Sequence, residues 1–171
     1  YLKNEHHSYS ILDKEIEYYS CGYPFAFSVK EMVKLWIYPQ FAKENVLIFK
    51  NADFILDLGQ GDSFADIYGK DRFNLIDKIH RIAYILKKPL CLLPQTIGPF
   101  ENKSIKKNGI KSIIRSNMVM TRDKMSFDYV VVNAPSQKNV SEYIDIAFFM
   151  PYKKCSFDDN YIHVGLNISA L

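Results

Sequence analysis

The sequence predicts an α/β protein whose mostly parallel β-sheet is covered on both faces by helices. Short apolar runs alternate along the chain with longer stretches in which apolar residues recur every three or four positions. The short runs are typical of buried strands, and the longer periodic stretches are typical of amphipathic helices. Their alternation favours a parallel sheet, because successive parallel strands are joined by crossover helices.

The first predicted elements lead to the strongest helical pattern in the chain. Residues 28–44 have apolar side chains at roughly helical spacing, and residues 54–58 form the first clear apolar strand. Residues 71–87 are predicted to be a helix because one face carries a repeating set of apolar residues. These residues are Phe73, Ile76, Ile79, Ala83 and Leu86. We expect His80, in the same helix, to lie at its surface or boundary. Residues 89–93 are the next short buried strand.

The alternation continues after the second strand. Residues 103–115 are predicted to be a second amphipathic helix, and residues 118–121 a third strand. Asp123 is a natural N-cap with Ser126 three residues later, which predicts a further helix over residues 123–129. Arg122 is therefore the last residue of the third strand.

Two more apolar runs, residues 144–149 and 162–168, are separated by a polar stretch. The polar residues 153–160 are predicted to be a linker, which makes residues 1–152 one domain. Residues 161–171 are then the first strand of a second domain that the chain truncates. The pattern alone is equally compatible with a single α/β domain that ends with this strand.

Charge and composition exclude several classes of protein. The net charge is +3 and the basic residues are dispersed, so nucleic acid is not a predicted partner. The three cysteines lie far apart, with no CxxC pair and no neighbouring histidines. This usage indicates reduced thiols in a cytoplasmic protein and predicts no zinc site. No uninterrupted apolar run reaches the roughly 18 residues of a membrane helix.

The first predicted strand ends in a loop that can hold a ligand. In this loop Gly61, Asp62 and Ser63 follow the strand. Ser63 can cap a following helix, whose free N–H groups would then face an anion. The loop is not a dinucleotide fingerprint, because Phe64 occupies the position of the third glycine. The alternatives are an anion or sugar site and an ordinary tight turn.

The next two strand ends also carry polar groups. Gln95 and Thr96 bring an amide and a hydroxyl to the second, where they suit sugar hydroxyls or form a rigid turn. Arg122 ends the third strand, and its planar guanidinium suits phosphate or carboxylate. The alternative for Arg122 is an ion pair with Asp123 or Asp145. Because ligands bind outside the carboxyl ends of parallel strands, we expect these groups to face one crevice.

The helix over residues 103–115 has a strongly basic face. Its lysines are Lys103, Lys106, Lys107 and Lys111. A solvated helix face explains them most simply. The alternative is a patch that attracts anionic lipid headgroups, which would place the protein at a membrane surface.

Five segments of the chain, taken together, carry a family resemblance. They are ADFILDLGQGDSFADIYG (52–69), KPLCLLPQTIGPF (88–100), TRDKMSFDYV (121–130), DIAFFMP (145–151) and HVGLNIS (163–169). From Asp53 onward the chain resembles the polysaccharide pyruvyl transferase family. The family's first strand, with its Asn-Gly-Asp-type loop, has no counterpart near Tyr1. Gln60 and Asp62 interrupt the family's usual glycine triplet.

The resemblance implies a Rossmann-like first half of a two-domain protein of the GT-B type, with HVGLNIS opening the second half. The implied activity transfers the pyruvyl group of phosphoenolpyruvate, as a ketal, to a sugar of a bacterial exopolysaccharide or cell-wall polymer. Phosphoenolpyruvate is the donor substrate, and no cofactor is implied. The acceptor is a glycan or a lipid-linked oligosaccharide, with a cytoplasmic location or one at the inner face of the membrane. Residues 1–171 alone are expected to be inactive, because half of the cleft would be absent.

The resemblance also assigns roles to the strand-end residues. Arg122 matches the arginine of the family's RDxxS stretch and is expected to bind phosphate or carboxylate. Asp62 is expected to position or deprotonate an acceptor hydroxyl. The residues assigned to substrate binding are Gly61, Ser63, Gln95 and Thr96. Two other functions stay open on the same scaffold: a glycosyltransferase that uses a nucleotide sugar, and a non-catalytic domain that binds sugar or nucleotide.

Overall fold

The computed structural model of the 171-residue chain describes residues 5–11, 13–20, 44–59, 63–154, 156–157 and 160–165. These residues form an α/β fold in which a four-stranded parallel sheet alternates with helices. The α/β class and the parallel sheet of the prediction are confirmed.

The described amino-terminal segments lie outside the parallel sheet. Strands β1 (Glu5–Ile11) and β2 (Lys14–Ser20) pair antiparallel as a separate hairpin, which the sequence pattern does not predict. Helix α1 (Glu44–Asn51) begins where the predicted helix over residues 28–44 ends. The rest of that predicted helix, residues 28–43, lies outside the described residues.

The parallel sheet and its helices follow one another along the chain. They are β3 (Ile55–Asp57), α2 (Lys70–Ile85), β4 (Leu90–Gln95), α3 (Lys103–Arg115), β5 (Met118–Thr121), α4 (Lys124–Asn133) and β6 (Val140–Glu142). The strand order is β3-β4-β5-β6, and each neighbouring pair is parallel. The predicted strands at 54–58, 89–93 and 118–121 and the predicted helices at 71–87, 103–115 and 123–129 are confirmed, with α3 and β5 at the predicted bounds. Strand β6 is not predicted, and the apolar run at 144–149 contains a short 3₁₀ helix (Ile146–Phe149).

The three connecting helices lie on one face of the sheet. Parallel strands that neighbour each other in chain order, with crossovers of the usual right hand, place their helices on the same side. In agreement, α2 packs against α3 and α3 packs against α4. Helices on the opposite face remain a prediction.

Strand β4 shows why this sequence forms a covered sheet. Leu90 and Leu92 are buried, whereas Cys91 and Leu93, which point to the other face, are only half-buried. Apolar residues on both faces are typical of strands in a parallel sheet rather than of a sheet with one wet face.

An aromatic cluster supports the carboxyl edge of the sheet. The rings of Phe64 and Phe73 stack with centroids 5.4 Å apart, and Phe100 meets both rings edge-on. A Cβ atom on Gly109 would lie 2.6 Å from the ring of Phe100, so the glycine allows α3 to approach the cluster. Since Phe64 follows β3 and Phe100 follows β4, the cluster holds the loops after these strands in place.

The described carboxyl-terminal residues belong to the predicted linker and to the predicted start of a second domain. Residues 160–165 are in no helix or strand, and residues 166–171 lie outside the described ranges. The linker at 153–160 and the second domain from 161 therefore remain predictions.

Candidate functional site

The loops after β3, β4 and β5 meet at one edge of the sheet. The N–H of Phe64 donates to the Thr96 carbonyl at 2.8 Å, and the Gly98 N–H donates back to the Phe64 carbonyl at 2.9 Å. The Arg122 N–H donates to the Gln95 carbonyl at 3.2 Å. These backbone bonds bring the predicted strand-end residues Ser63, Thr96 and Arg122 into adjacent loops.

The side chain of Arg122 is held by two neighbours. Its Nε donates to Thr96 Oγ1 at 2.8 Å, and its Nη1 donates to Asp145 Oδ2 at 2.8 Å. Its Nη2 donates to none of the residues that the structure describes, and the side chain is 31% exposed. The predicted alternative, an ion pair with Asp145, is therefore present. One edge of the guanidinium is nevertheless left open to an anion.

Thr96 links Arg122 to the start of helix α4. Its hydroxyl donates to Asp123 Oδ2 at 3.3 Å. Asp123 is the N-cap, as predicted, because its Oδ1 accepts the Ser126 N–H at 2.8 Å. The Ser126 hydroxyl also donates to Asp123 and accepts the Ile97 N–H. We call Asp145, Arg122, Thr96, Asp123 and Ser126 the Arg122 chain.

Asp145 carries the negative end of the Arg122 chain. Its Oδ1 accepts the Ala147 N–H at 2.9 Å at the start of the 3₁₀ helix. This bond, together with the hydrogen bond and charge of Arg122, lowers the pKa of Asp145 below its ordinary value. The carboxylate therefore stays ionised and keeps the guanidinium oriented.

The side chain of Gln95 is buried beneath the loops at the carboxyl edge of the sheet and is not exposed at the surface. It is 1% exposed, and its Nε2 donates to the carbonyl and the carboxylate of Asp57 at 3.2 and 3.3 Å. Its Oε1 is buried without a hydrogen-bond partner in the described part of the chain. A Cβ atom on Gly59 would lie 2.6 Å from this oxygen, so only glycine leaves it room. Contact of Gln95 with a substrate remains a prediction, and only Oε1 has capacity for it.

A second hydrogen-bonded chain lies beneath Gln95, and sequence reasoning missed it. His80 Nε2 lies 3.1 Å from Asp57 Oδ2, and His80 Nδ1 lies 2.6 Å from Ser112 Oγ. An ionised carboxylate only accepts, so Nε2 carries a proton that it donates to Asp57. We call Asp57, His80 and Ser112 the His80 chain.

The predicted surface or boundary position of His80 is wrong, since the residue is only 3% exposed. The signal was present in the sequence, because His80 follows Phe73 and Ile76 at helical spacing on the buried stripe of α2. Burial by itself would raise the pKa of Asp57. The hydrogen bond and field of His80, with smaller help from Gly59 and Gln95, outweigh burial and hold this pKa below its ordinary value.

The loop after β3 differs from its prediction in one respect. Gly61 and Asp62 lie outside the described residues. Ser63 is described, but no helix begins after it, so the predicted N-cap with N–H groups facing an anion is wrong. Phe64 instead pairs with Ile97 and is fully buried, which keeps the chain extended. Helix α2 begins later, at Lys70, after Gly69 and without a side-chain cap.

Two kinds of feature are absent from the described part of the chain, a metal-binding cluster and a membrane-spanning helix. No group of three or more His, Cys, Asp or Glu side chains in that part of the chain is placed to hold a metal ion. No helix in the described ranges is long and apolar enough to cross a membrane.

The parallel sheet, with polar loops meeting at the carboxyl ends of its strands, defines the chain as an α/β domain of the kind in which ligands bind at this edge. The chain belongs to the polysaccharide pyruvyl transferase family, which it matches over residues 1–168. The match includes the β1–β2 hairpin, whereas the resemblance in the sequence motifs begins at Asp53. Comparisons with curated proteins and with solved structures found no match. Family membership places the chain among transferases of polysaccharide biosynthesis, with a pyruvyl donor and a polysaccharide acceptor.

Proposed function

We propose that this protein transfers the pyruvyl group of phosphoenolpyruvate to two hydroxyls of a sugar, as a ketal, in the synthesis of an exopolysaccharide or cell-wall polymer. The observation that carries the proposal is Arg122. It stands at the end of β5, is oriented by Thr96 and Asp145, and keeps its Nη2 edge open. An oriented guanidinium with a free edge suits the carboxylate or phosphate of this donor.

The reaction defines what the site has to supply. The bond between C2 of phosphoenolpyruvate and the phosphate oxygen breaks, and two bonds form from C2 to sugar oxygens. One hydroxyl proton ends on the methylene carbon, which becomes a methyl group, and the other leaves with inorganic phosphate. Protonation of the methylene gives C2 oxocarbenium character. The site therefore needs an acid, nearby negative charge and donors for the departing phosphate.

The strand-end residues divide these tasks in the proposal. Arg122 binds the departing phosphate or the donor carboxylate through its free edge. Thr96 and Asp145 act as positioning residues, since each fixes one nitrogen of the guanidinium. Asp62 positions or deprotonates an acceptor hydroxyl. Gly61 and Ser63, its neighbours in sequence, line the cleft and bind substrate. A negative charge at Asp145 beside Arg122 also favours the developing oxocarbenium.

Substrate binding tests this proposal against its alternatives. Isothermal titration of the full-length protein is expected to show binding of phosphoenolpyruvate and none of nucleotide sugars. Lys124→Ala is the matched control for Arg122→Ala in this titration. Lys124 lies near Arg122 in sequence, but its side chain is exposed and paired with Asp128. Binding of a nucleotide sugar without phosphoenolpyruvate would instead identify a glycosyltransferase. Binding of free glycan or nucleotide, with no phosphate release from phosphoenolpyruvate, would identify a non-catalytic domain.

The domain organisation belongs to the same proposal. We infer that residues 1–152 form the first, Rossmann-like domain of a GT-B-type protein, that 153–160 are a linker and that 161–171 begin the second domain. The cleft then lies between the two domains. Residues 1–171 alone are expected to release no phosphate from phosphoenolpyruvate with a sugar acceptor. Measurable turnover by this fragment would show that the first domain is sufficient.

A further inference from the structure

A groove between helices α2 and α3 lies away from the edge that carries Arg122. It consists of two adjoining cavities of about 260 and 250 Å³ that share His80, Tyr84 and Arg115. The second cavity reaches Leu90, the first residue of β4, and Asn117, which directly precedes β5. The groove therefore opens toward the amino ends of the strands, opposite the proposed transferase site.

The lining of this groove is strongly basic. Its cations are Arg81, Lys87, Lys88, Lys111 and Arg115. The acidic residue in the lining, Asp77, is buried and already paired with Arg81. Helix α3 itself contains no acidic residue. Apart from Arg81, none of these cations forms an ion pair within the described part of the chain. The groove thus has an uncompensated positive charge, although the whole chain carries only +3.

The cation Arg115 is held in the groove by an aromatic neighbour. Its guanidinium lies over the ring of Tyr84, 3.7 Å from the ring centroid. Such stacking fixes the plane of the guanidinium and leaves its N–H edge free, and that edge matches phosphate oxygens in a two-bond fork. Lys111 lies one helical turn before Arg115 and lines the same cavity. The oriented guanidinium of Arg115, beside the flexible ammonium group of Lys111, suits an anion with several oxygens.

We propose that the α2–α3 groove binds a phosphate or diphosphate group. Each cavity is large enough for such a group, and the amides of Asn108 and Asn117 add neutral polar groups to the lining. The lining also includes exposed apolar surface, because Tyr84 and Ile85 are each 51% exposed. The phosphate could therefore belong to a soluble phosphate ester or to the headgroup of an anionic lipid. The recognition chemistry is the same for both.

Titration with inorganic diphosphate at about 150 mM salt tests the site, because diffuse surface attraction is largely screened there. The double variant Lys111→Gln, Arg115→Gln removes the two central cations without changing chain length much. The control Lys103→Gln, Lys107→Gln removes the same charge from the same helix outside the groove. We expect the groove variant to bind diphosphate about 10-fold or more weakly and the control by less than about 2-fold. Equal losses in both variants would overturn the proposal, because only the net charge would then matter.

Two further measurements separate this groove from the transferase site and from a folding defect. Arg122→Gln is expected to retain diphosphate binding, since Arg122 lies at the opposite edge of the sheet. In the wild-type protein, diphosphate should protect Lys111 but not Lys107 from acetylation, as read by peptide mass spectrometry. Equal acetylation of Lys111 with and without diphosphate, together with no heat of binding, would reject the groove as a phosphate site.

Vesicles identify the source of the phosphate. Binding to phosphatidylglycerol vesicles but not to phosphatidylcholine vesicles, reversed by diphosphate and lost in the groove variant, would assign a lipid headgroup. Diphosphate binding without vesicle binding would assign a soluble phosphate ester. If the wild-type protein binds neither diphosphate nor the anionic vesicles, the proposal fails.

Discussion

The His80 chain and the Arg122 chain begin at the carboxyl edge of the same sheet, but they differ in exposure. The imidazole of His80 is 2% exposed and both of its nitrogens are used within the protein. The guanidinium of Arg122 is 31% exposed and keeps one nitrogen unused by described residues. The His80 chain contains Asp, His and Ser, the residue types of a hydrolytic triad, yet both imidazole nitrogens are used within the chain, although His80 and Ser112 also line the α2–α3 groove. The comparison indicates that access to a reactant, rather than residue type, distinguishes the chain proposed to be functional from the structural one.

Replacement of His80 by alanine is expected to have the largest effect, on stability. It would leave the buried carboxylate of Asp57 without its main partner and create a cavity beside Phe64, whose ring lies 4.9 Å from the imidazole. Breaking a buried pair by removal of one partner costs about 3–5 kcal/mol. The free energy of unfolding, measured with urea, should fall by that amount.

Ser112→Ala is the control for this prediction, because it removes only the hydroxyl bonded to His80 Nδ1. A single hydrogen bond contributes about 1 kcal/mol. If His80→Ala destabilises the protein no more than Ser112→Ala does, the carboxylate of Asp57 does not depend on His80. The contrast between a structural His80 chain and the Arg122 chain would then fail.

Replacement of Arg122 by alanine is expected to affect turnover rather than stability. Loss of a charge-assisted contact to the donor, made mainly in the transition state, should lower turnover about 30- to 1000-fold, or about 2–4 kcal/mol. The free energy of unfolding should fall by less than about 1 kcal/mol, because the pair with Asp145 is partly exposed. Arg122→Lys should recover only part of the rate, since an ammonium lacks the planar fork.

Both quantities have to be measured on the same Arg122 variant. A lower melting temperature with normal turnover per folded molecule would remove Arg122 from the site. The Arg122 chain would then be structural, like the His80 chain.

Acid should weaken the contribution of Asp57, in the His80 chain, to the stability of the folded protein. The pH range follows from the pKa of Asp57. The pKa of Asp57 in the folded protein is below its ordinary value of 3.8, so its contribution is fully present above that pH. It is lost as the pH falls from there through the folded-state pKa, because over this range the unfolded state binds more protons than the folded state. The stability difference between wild type and Asp57→Asn should therefore be constant near pH 6 and narrow below about pH 4. A difference that widens on acidification would contradict this assignment.

Asp145→Asn is expected to have the smallest effect on stability, below about 1 kcal/mol. The carboxylate is half-exposed, and asparagine can still accept the Ala147 N–H as a cap. Its role as a positioning residue predicts a larger fractional loss in turnover than in stability. If thermal denaturation shows a loss as large as that of His80→Ala, Asp145 belongs to the structural framework instead.

Local patterns in the sequence predict most of the parallel sheet and little of the chemistry around it. The bounds of α3 and β5, and the N-cap at Asp123, depend on residues close together in the chain. Strand β6 and the β1–β2 hairpin are missed, because Val140 is the one apolar residue of β6 and the hairpin lacks the strand–helix alternation. The helix start predicted at Ser63 is wrong, because the bridge between Phe64 and Ile97 joins residues far apart in sequence.

The sequence by itself therefore determined the fold class, the alternation of elements and the residue types at the three strand ends, since hydrophobic periodicity and capping act over a few residues. Only the tertiary structure decided the hydrogen-bond partners. Two carboxylates, Asp123 and Asp145, are equally plausible for Arg122 in the sequence, but Asp123 is occupied by Ser126 and Thr96, which leaves Asp145. The burial of His80 against Asp57 likewise depends on how α2 packs on the sheet. Such contacts join distant parts of the chain, and their geometry is set by strand register and helix packing.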